Sequence, residues 1–287
     1  MKKKSISSEM IARYVFLLPG LIMFCFSIAI PFFMGINIAF TDWNGITKDY
    51  NYVGIDNFIA AFLDPRIGAP LRNSLLFAVI GVIGGTIFSL GMALMVNYKS
   101  NHFSNIARTI FFMPVCFSSI LAAFIWKFIY KEVFTALFGT NSLLGNTTFV
   151  IPAIVLIGLW NSSGINMLIY LSGLKSIPTE LYEAARVDGA SAVKRFGRIT
   201  LPLLAPSFTV CITLTLTSWF REFGMTLSAT GGGPGGASRT LAIYIYENLY
   251  NYNKAGYGQA VAFLFALLLI ILGSSISSFF RSREVEM

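Results

Sequence analysis

Seven polar or aromatic residues interrupt the apolar runs of this chain, and side chains of these types can bind a polar solute. They are Trp160, Asn161, Asn166, Trp219, Arg221, Glu222 and Phe223. Aromatic rings pack against the apolar faces of sugars, while amides and charged groups hydrogen-bond to their hydroxyls. Because polar groups within a membrane usually face a cavity or another helix, these residues are candidates for a solute path. The alternative is that Trp219 anchors the membrane interface, while Arg221 and Glu222 lie in solvent or pair together.

The composition indicates that these residues belong to a membrane protein. Of the 287 residues 55% are apolar and only 12% are charged, with a mean hydropathy of +0.70. A soluble domain carries about 25% charged residues. The three cysteines lie in separate apolar runs without metal-ligand spacing, and the one histidine has no cysteine or carboxylate cluster beside it. We therefore expect no catalytic or metal site on this chain.

Six segments are long enough to cross about 30 Å of hydrocarbon as helices. They cover residues 14–40, 71–97, 106–130, 150–174, 203–228 and 257–280. The sequence therefore predicts an all-α membrane protein with six transmembrane helices. It divides into an N-terminus (1–13), a transmembrane domain (14–280) and a C-terminus (281–287).

The distribution of Lys and Arg predicts the orientation of these helices. Thirteen lie on the side of the N-terminus, and eight lie on the other side. The first set is Lys2, Lys3, Lys4, Arg13, Lys99, Arg108, Lys175, Arg186, Lys194, Arg195, Arg198, Arg281 and Arg283. The second set is Lys48, Arg66, Arg72, Lys127, Lys131, Arg221, Arg239 and Lys254. Positive charge favours the cytoplasm, so both termini are predicted inside, and the net charge of +8 gives no support to nucleic-acid binding.

The predicted second helix carries small residues four apart, which permit close packing against another helix in lipid. They are Gly81, Gly85, Ser89 and Ala93. Three prolines, Pro19, Pro31 and Pro114, fall inside apolar runs. Because proline removes a helical hydrogen bond, we expect kinks or breaks at these positions.

Residues 175–202 form a polar segment whose pattern predicts helix–turn–helix at the membrane surface. Pro178 fits a first helical position, with Ser176 before it as a possible cap. Gly189 suits the turn, and Ser191 can begin a second short helix. The alternative is an interfacial linker whose cationic side chains, Lys194, Arg195 and Arg198, touch anionic lipid headgroups.

Within this segment seven residues match the spacing E-A-A-x3-G-x9-I-x-L-P without a gap. They are Glu183, Ala184, Ala185, Gly189, Ile199, Leu201 and Pro202. The pattern resembles the EAA loop of inner-membrane permeases of binding-protein-dependent ABC importers, a fold of the type I importer class. We call residues 175–202 the EAA segment.

The resemblance to the carbohydrate branch of these permeases covers nearly the whole chain. It is carried by stretches outside the EAA segment, of which the C-terminal ones resemble the first, F-type member of the maltose transporter. These stretches are Phe40-Thr41-Asp42-Trp43, Val53-Gly54-x-x-Asn57-Phe58, Arg72-Asn73-Ser74-Leu75, Arg108-Thr109-x-Phe111-Phe112-x-Pro114, Thr230-Gly231-Gly232-Gly233-Pro234 and Gly256-Tyr257.

The resemblance implies a multi-pass subunit of the inner membrane that imports a sugar or oligosaccharide by alternating access. It implies four kinds of partner: a second, homologous permease, two ATPase subunits, an extracytoplasmic binding protein, and the lipid bilayer. The coupling residues by resemblance are Glu183, Ala184, Ala185, Asp188 and Gly189. No G-x-x-x-x-G-K-[ST] motif occurs, so we expect no cofactor on this chain, with ATP and Mg on the partner ATPase.

Three alternatives remain open from the sequence. A phosphorylated polyol such as glycerol 3-phosphate fits because Arg221 could meet an anion. A secondary transporter would need inverted repeats and intramembrane carboxylates, whereas the acidic residues here lie in loops or near predicted helix ends. A membrane enzyme would need a group of catalytic side chains at the interface.

Overall fold

The structure, a computed structural model, describes residues 8–98, 102–139 and 142–282, with the side chains of residues 8–14, 102 and 103 excepted. Part of the orientation prediction lies outside this range, namely the charges of Lys2, Lys3, Lys4, Lys99 and Arg283. Residues 1–7 and 283–287 of the predicted termini also lie outside the described residues.

The described chain is helical, as predicted, and its one extended pairing is an isolated bridge between Thr41 and Tyr52. The α-helices are α1 (Ser8–Phe24), α2 (Ile30–Ala39), α3 (Asp56–Leu63), α4 (Gly68–Asn97), α5 (His102–Phe112), α6 (Ser119–Phe128), α7 (Phe134–Phe138), α8 (Val150–Ser176), α9 (Thr179–Val187), α10 (Ala192–Arg195), α11 (Leu201–Leu203), α12 (Ala205–Phe220), α13 (Gly224–Thr230), α14 (Leu241–Tyr246) and α15 (Ala255–Arg281). Wider π turns occupy Cys25–Ala29, Ile129–Val133, Phe196–Thr200 and Glu247–Asn251. Short 3₁₀ turns occupy Pro65–Ile67, Met113–Cys116 and Leu143–Gly145.

Four helical segments are long and apolar enough to cross a membrane singly. They are Val15–Ala39, Pro65–Asn97, Val150–Ser176 and Ala255–Arg281. Two further spans are bent pairs, Ser104–Cys116 with Ser119–Phe138 at 101° and Ala192–Leu203 with Ala205–Phe220 at 66°. The six predicted spans are found when each pair counts as one. The third and fifth are not the single helices that the sequence predicted, and α12 ends at Phe220, before the predicted residue 228.

Only some of the prolines break their helices. Pro114 lies in the 3₁₀ turn between α5 and α6, where Phe117 is extended and the Ser118 hydroxyl accepts a hydrogen bond from the Leu121 amide at 3.2 Å. Pro31 begins α2 directly after a π turn. No break occurs at Pro19, because α1 continues through it.

The chain divides into two compact units, and the first contains residues up to Asp64 together with Ile245–Leu264. Its polar loop after α2 is held by Asp42, whose carboxylate accepts hydrogen bonds from the Asn51 backbone amide at 2.7 Å and side-chain amide at 3.2 Å. The hydrogen bond from the Asn51 backbone amide, and to a smaller extent the one from its side chain, lower the pKa of the Asp42 carboxyl below its usual value.

The same unit brings together three of the stretches that carry the family resemblance. The Asn57 amide donates to the carbonyls of Ala39 and Thr41 at 2.9 and 2.8 Å, and so pairs groups left free where α2 ends. The Gly256 amide donates to the Trp43 carbonyl at 2.9 Å, and a Cβ at Gly256 would overlap the Thr41 carbonyl. These motif residues thus have a structural role in joining the first loop to the start of α15.

The second unit contains Pro65–Tyr244 and the chain from Phe265 onward, and its centre is the packing of α4 with α8 and α12. The predicted small-residue face of α4 is buried there: Gly81, Gly85, Ser89 and Ala93. A Cβ at Gly85 would lie 3.4 Å from the Thr215 side chain and 3.7 Å from Leu159. The prediction that this face packs against other helices is confirmed.

In this unit the glycine-rich loop after α13 is fixed by α4. The buried Asn73 amide donates to the carbonyls of Gly236 and Arg239 at 3.1 and 3.0 Å, and the Ser74 hydroxyl accepts from the Leu241 amide at 2.9 Å. Buried backbone groups need such partners. The stretch Arg72–Leu75 therefore supports the loop that follows Thr230.

We predict that Asp42→Ala increases deuterium uptake in residues 42–53 at neutral pH, because the Asn51 amide loses its acceptor. A carboxyl with a lowered pKa contributes stability above its unfolded pKa and loses it only as the pH falls through the folded value. In the unchanged protein the protection should therefore persist into acidic solution. The matched control is Asp49→Asn in the same loop, because the Asp49 side chain makes no hydrogen bond with a described residue. Equal uptake in the two variants at neutral pH would contradict this role for Asp42.

Candidate functional site

Trp219 on α12 is clamped between two glycines of the neighbouring helices. A Cβ at Gly81 on α4 or at Gly158 on α8 would overlap its indole ring. The ring also stacks on Phe77 of α4, with centroids 6.1 Å apart and planes inclined by 8°. Trp219 is only 5% exposed, which does not fit the alternative of an interface anchor. The missing side chains at both glycines create the space that the indole fills.

A cavity of about 460 Å³ lies beside this clamp. Hydroxyls and amides form most of its polar lining. The lining residues are Ser119, Gly158, Asn161, Ser162, Ile165, Asn166, Thr213, Leu214, Thr215, Thr217, Ser218, Trp219, Arg221, Glu222 and Met225. Five of the seven candidate residues are therefore brought together at one cavity, and Trp160 and Phe223 do not line it.

Asn161 also has a structural role at the break between α5 and α6. Its side-chain amide donates to the carbonyls of Pro114 and Phe117 at 2.8 and 3.1 Å. The Pro114 carbonyl also accepts the Phe117 amide at 3.1 Å, whereas the Phe117 carbonyl follows the turn at which the helix stops. Asn161 thus supports the broken backbone, while its amide oxygen accepts no hydrogen bond from a described residue.

Asn166 joins α8 to α12 at the deeper part of the cavity. Its side-chain amide donates to the Thr215 hydroxyl at 2.8 Å, and its backbone carbonyl lies 3.8 Å from the Cys211 sulfur. Both helices therefore move together where they line the cavity, as long as this contact persists. As with Asn161, the amide donor is used by the protein, and the residue lines the cavity.

Trp160 packs into an aromatic cluster and does not line the cavity. Its ring stacks on Phe117 with centroids 6.0 Å apart and meets Trp126 edge to face, also at 6.0 Å. Trp126 in turn contacts Tyr130 at 5.4 Å. The sequence prediction placed Trp160 on the solute path because an indole can stack on a sugar or on other protein rings. The residue type alone does not distinguish the two.

Glu222 and Arg221 follow the end of α12 and take different roles. One Glu222 carboxylate oxygen accepts hydrogen bonds from the backbone amides of Met225 and Thr226 at 2.9 and 3.1 Å, at the start of α13. Arg221 is exposed at the C-terminal end of α12. The two side chains form no ion pair, so the alternative in which they pair is wrong. Arg221 is left as a cation at the rim of the cavity.

The sequence prediction missed the hydroxyls of α12 and α8, which are Thr213, Thr215, Thr217, Ser218 and Ser162. Two of these hydroxyls donate to their own helix, Thr217 to the Thr213 carbonyl at 2.8 Å and Ser162 to the Gly158 carbonyl at 2.7 Å. A threonine whose hydroxyl bonds to its own helix is compatible with an apolar helix, so a threonine in an apolar run is only weak evidence for a cavity. The run of alternating threonines from 213 to 217 was the available indication.

The EAA segment folds as two short helices joined at Gly189. The Ala190 amide donates to the Ala185 carbonyl at 2.8 Å, and the Gly189 amide donates to the Arg186 carbonyl at 3.0 Å. This pair of bonds is the Schellman motif, which requires a left-handed residue, and Gly189 has a φ of 72°. The predicted turn is therefore present. Asp188 occupies the C-cap position of α9.

Of the two helix caps predicted in this segment, the one at Ser191 is present and the one at Ser176 is not. The Ser191 hydroxyl accepts a hydrogen bond from the Lys194 amide at 3.4 Å and so begins α10. Ser176 does not cap α9, because its hydroxyl donates back to the Gly173 carbonyl at 2.8 Å and ends α8. Pro178, predicted at the first helical position, is the N-cap residue of α9.

The outer face of the segment is polar with exposed apolar side chains among the charges. Glu183, Ala184 and Asp188 are exposed, and Ala185 is half-buried. Val187 is 89% exposed and Val193 is 81% exposed. No residue of α9 is buried. Exposed valines on a charged surface are suited to contact with another protein.

Comparison with known proteins agrees with this arrangement. Residues 85–283 match the family described as the binding-protein-dependent transport system inner membrane component. The chain belongs to this family. The match decides against the alternatives of a secondary transporter and a membrane enzyme, and it makes the protein a multi-pass permease of the inner membrane.

Two curated relatives illustrate the similarity. The permease is 30% identical to "Probable starch degradation products transport system permease protein AmyD" of Thermoanaerobacterium thermosulfurigenes, over 100% of this chain and 99% of the relative. It is 31% identical to "Arabinooligosaccharides transport system permease protein AraP" of Bacillus subtilis, over 94% and 88% of the two chains.

A solved structure shares the fold. It is the crystal structure of a bacterial ABC transporter that imports the acidic polysaccharide alginate, and one of its chains matches with a TM-score of 0.82 at 21% identity. The alignment covers 94% of this permease and 95% of that chain. The predicted ABC importer permease fold is confirmed.

We predict that Gly81→Ala and Gly158→Ala each lower the free energy of unfolding by about 1–3 kcal/mol, since overpacking forces the Trp219 ring out of its place. Thermal unfolding in detergent would measure the change. Gly91→Ala is the matched control on α4, because a Cβ there meets no atom within 4 Å. It should leave the permease as stable or slightly more stable. A similar loss in all three variants would contradict the clamp.

Proposed function

We propose that this permease is one of two homologous membrane subunits that import a sugar or oligosaccharide delivered by an extracytoplasmic binding protein. The observation that carries the proposal is the cavity between α8 and α12, with its lining of hydroxyls and amides. Such groups both donate and accept hydrogen bonds, so they match a solute with many hydroxyls. An apolar solute would leave them unpaired. The names of the curated relatives, which include transporters of starch products and arabinooligosaccharides, support the same class.

The cavity supplies only part of what a sugar needs. Its one aromatic residue, Trp219, presents little surface because the ring lies between two glycines and Phe77. The hydrogen-bonding groups therefore come from this chain, and we expect the second permease to supply the aromatic face. The proposed assembly is therefore a heterodimer in which each subunit forms a different part of the solute path.

The energy for transport is proposed to come from two ATPase subunits that bind ATP and Mg. The surface offered to them is the EAA segment, through Glu183, Ala184, Ala185, Asp188 and Gly189. Its exposed valines and rigid Schellman turn suit a docking surface that must keep its shape under load. ATP binding would close the ATPase pair, move this segment and switch the cavity between inward and outward access.

Affinity purification tests the proposed assembly. The permease should bring down a second permease and an ATPase, and the reconstituted complex with its binding protein should take up a sugar only when ATP is supplied. Recovery of an active transporter made of this chain alone would contradict the proposal.

Gly189→Val tests the docking surface. A β-branched residue is strongly disfavoured at a φ of 72°, so the turn between α9 and α10 should open. We predict a normally inserted permease that no longer retains the ATPase on purification. Gly197→Val is the control in the same segment, since Gly197 has no positive φ and a Cβ there meets no neighbour within 4 Å. Equal ATPase recovery from the two variants would contradict the coupling role of Gly189.

A phosphorylated polyol is the second candidate solute, and Arg221 is the observation that favours it. The guanidinium lies at the rim of the cavity without an ion pair to a described residue. For an anionic solute, Arg221→Gln should lower uptake at least about tenfold, since a hydrogen bond to a charged group contributes roughly 1.5–3 kcal/mol. For a neutral sugar, uptake by the same variant should be nearly unchanged. Uptake assays with both kinds of solute separate the two cases.

A further inference from the structure

Three residues of the EAA segment, Ile177, Tyr182 and Ile199, lie in or against one buried cluster of the permease. On the side of the helices that the charge distribution predicts to be cytoplasmic lies a buried group of residues, which we call the Tyr170 cluster. Its members are Met92, Ala93, Val96, Met167, Tyr170, Leu171, Leu174, Ile177, Leu204 and Cys211. Tyr182 is the α9 residue that packs against this cluster. No residue of α9 is itself buried.

Tyr182 also makes a polar contact across the turn. Its hydroxyl lies 2.9 Å from the Thr200 hydroxyl, within hydrogen-bonding distance. Thr200 is 5% exposed and ends the π turn that leads into α11 and α12. The Thr200 carbonyl accepts the Leu204 amide at 3.0 Å, so Thr200 is part of the same helical path. The contact therefore joins α9 to the start of the fifth span.

This geometry closes the EAA segment into a loop with three fixed points. Ile177 belongs to the Tyr170 cluster at one end of α9, and the Schellman turn fixes the angle at the other. Arg195 adds a hydrogen bond from its guanidinium to the Ala190 carbonyl, at 2.6 Å, in the turn before α10. Because the helix is continuous from Ala192 to Leu203, α9 is the part that could rotate, about its connections to α8 and α10, without the Tyr182 contact. A force on the exposed face would then be lost as local motion.

We propose that the Tyr182–Thr200 hydrogen bond is the link that makes the start of the fifth span, and with it α12, follow the movement of α9. Tyr182 acts as a positioning residue, with its ring held in the Tyr170 cluster and its hydroxyl holding Thr200. The inference rests on the proposed function, because it assumes that an ATPase moves this segment. It identifies where that movement enters the membrane helices.

The test compares transport with ATP consumption in the reconstituted complex of both permeases, ATPase and binding protein. Tyr182→Phe keeps the ring and removes the hydroxyl, and Thr200→Val removes the other partner at nearly constant volume. In each, the amount of sugar taken up per ATP hydrolysed should fall by roughly two- to tenfold, the range expected for one lost hydrogen bond. Because the two variants remove the same contact, the double variant should fall no further than either one.

A purely structural role would give a different result. It would lower the yield or thermal stability of the complex while each assembled complex kept its normal uptake per ATP. Tyr250→Phe is the matched control, since Tyr250 is an exposed tyrosine of the other compact unit. It should change neither yield nor coupling.

The outcomes separate the inference from the function on which it rests. A wild-type permease that binds no ATPase and takes up no sugar would overturn the proposed function and the inference with it. A working wild type with an unchanged ratio in Tyr182→Phe would overturn the inference alone. Additive losses in the double variant would also overturn it, because they would show that the two hydroxyls act separately.

Discussion

Close approach of α4, α8 and α12 is the constraint on which the rest of the second unit depends. In lipid, helices are not driven together by the hydrophobic effect, so their association relies on tight packing and interhelical hydrogen bonds. Gly81 and Gly158 provide that packing by leaving room for Trp219 between them. The indole then sets how far apart the helices stand. The cavity beside it takes its width from that spacing.

Breaks in the helices impose a second requirement, which is to pair the backbone groups they expose. Asn161 does this for the carbonyls at the Pro114 break, and Glu222 does it for the amides at the start of α13. Both residues also line the cavity. Their structural bonds hold the two side chains in fixed orientations at the cavity lining. A polar group inside a membrane protein can therefore serve the fold and the site together.

The sequence was sufficient to predict the features that depend on residues close together in one helix or turn. The positions of the spans, the buried face at Gly85 and the turn at Gly189 follow from local patterns. The bends of 101° and 66° were not predictable, because they depend on which neighbour pairs the broken backbone. Trp160 shows the same limit. Its chemistry suits a sugar and an aromatic cluster equally, and only tertiary contacts decide between them.

α8 connects the Tyr170 cluster to the cavity as one continuous helix. On α8, eight residues separate Leu174 in the Tyr170 cluster from Asn166 at the cavity, a rise of about 12 Å. α8 is a single helix over this distance, whereas the fifth span bends by 66° before α12 begins. If an ATPase moves the EAA segment as proposed, α8 can carry that displacement to the level of the cavity without an intervening bend. The bend lets α12 turn relative to α8, and the bond from Asn166 to Thr215 limits that turn at the level of the cavity.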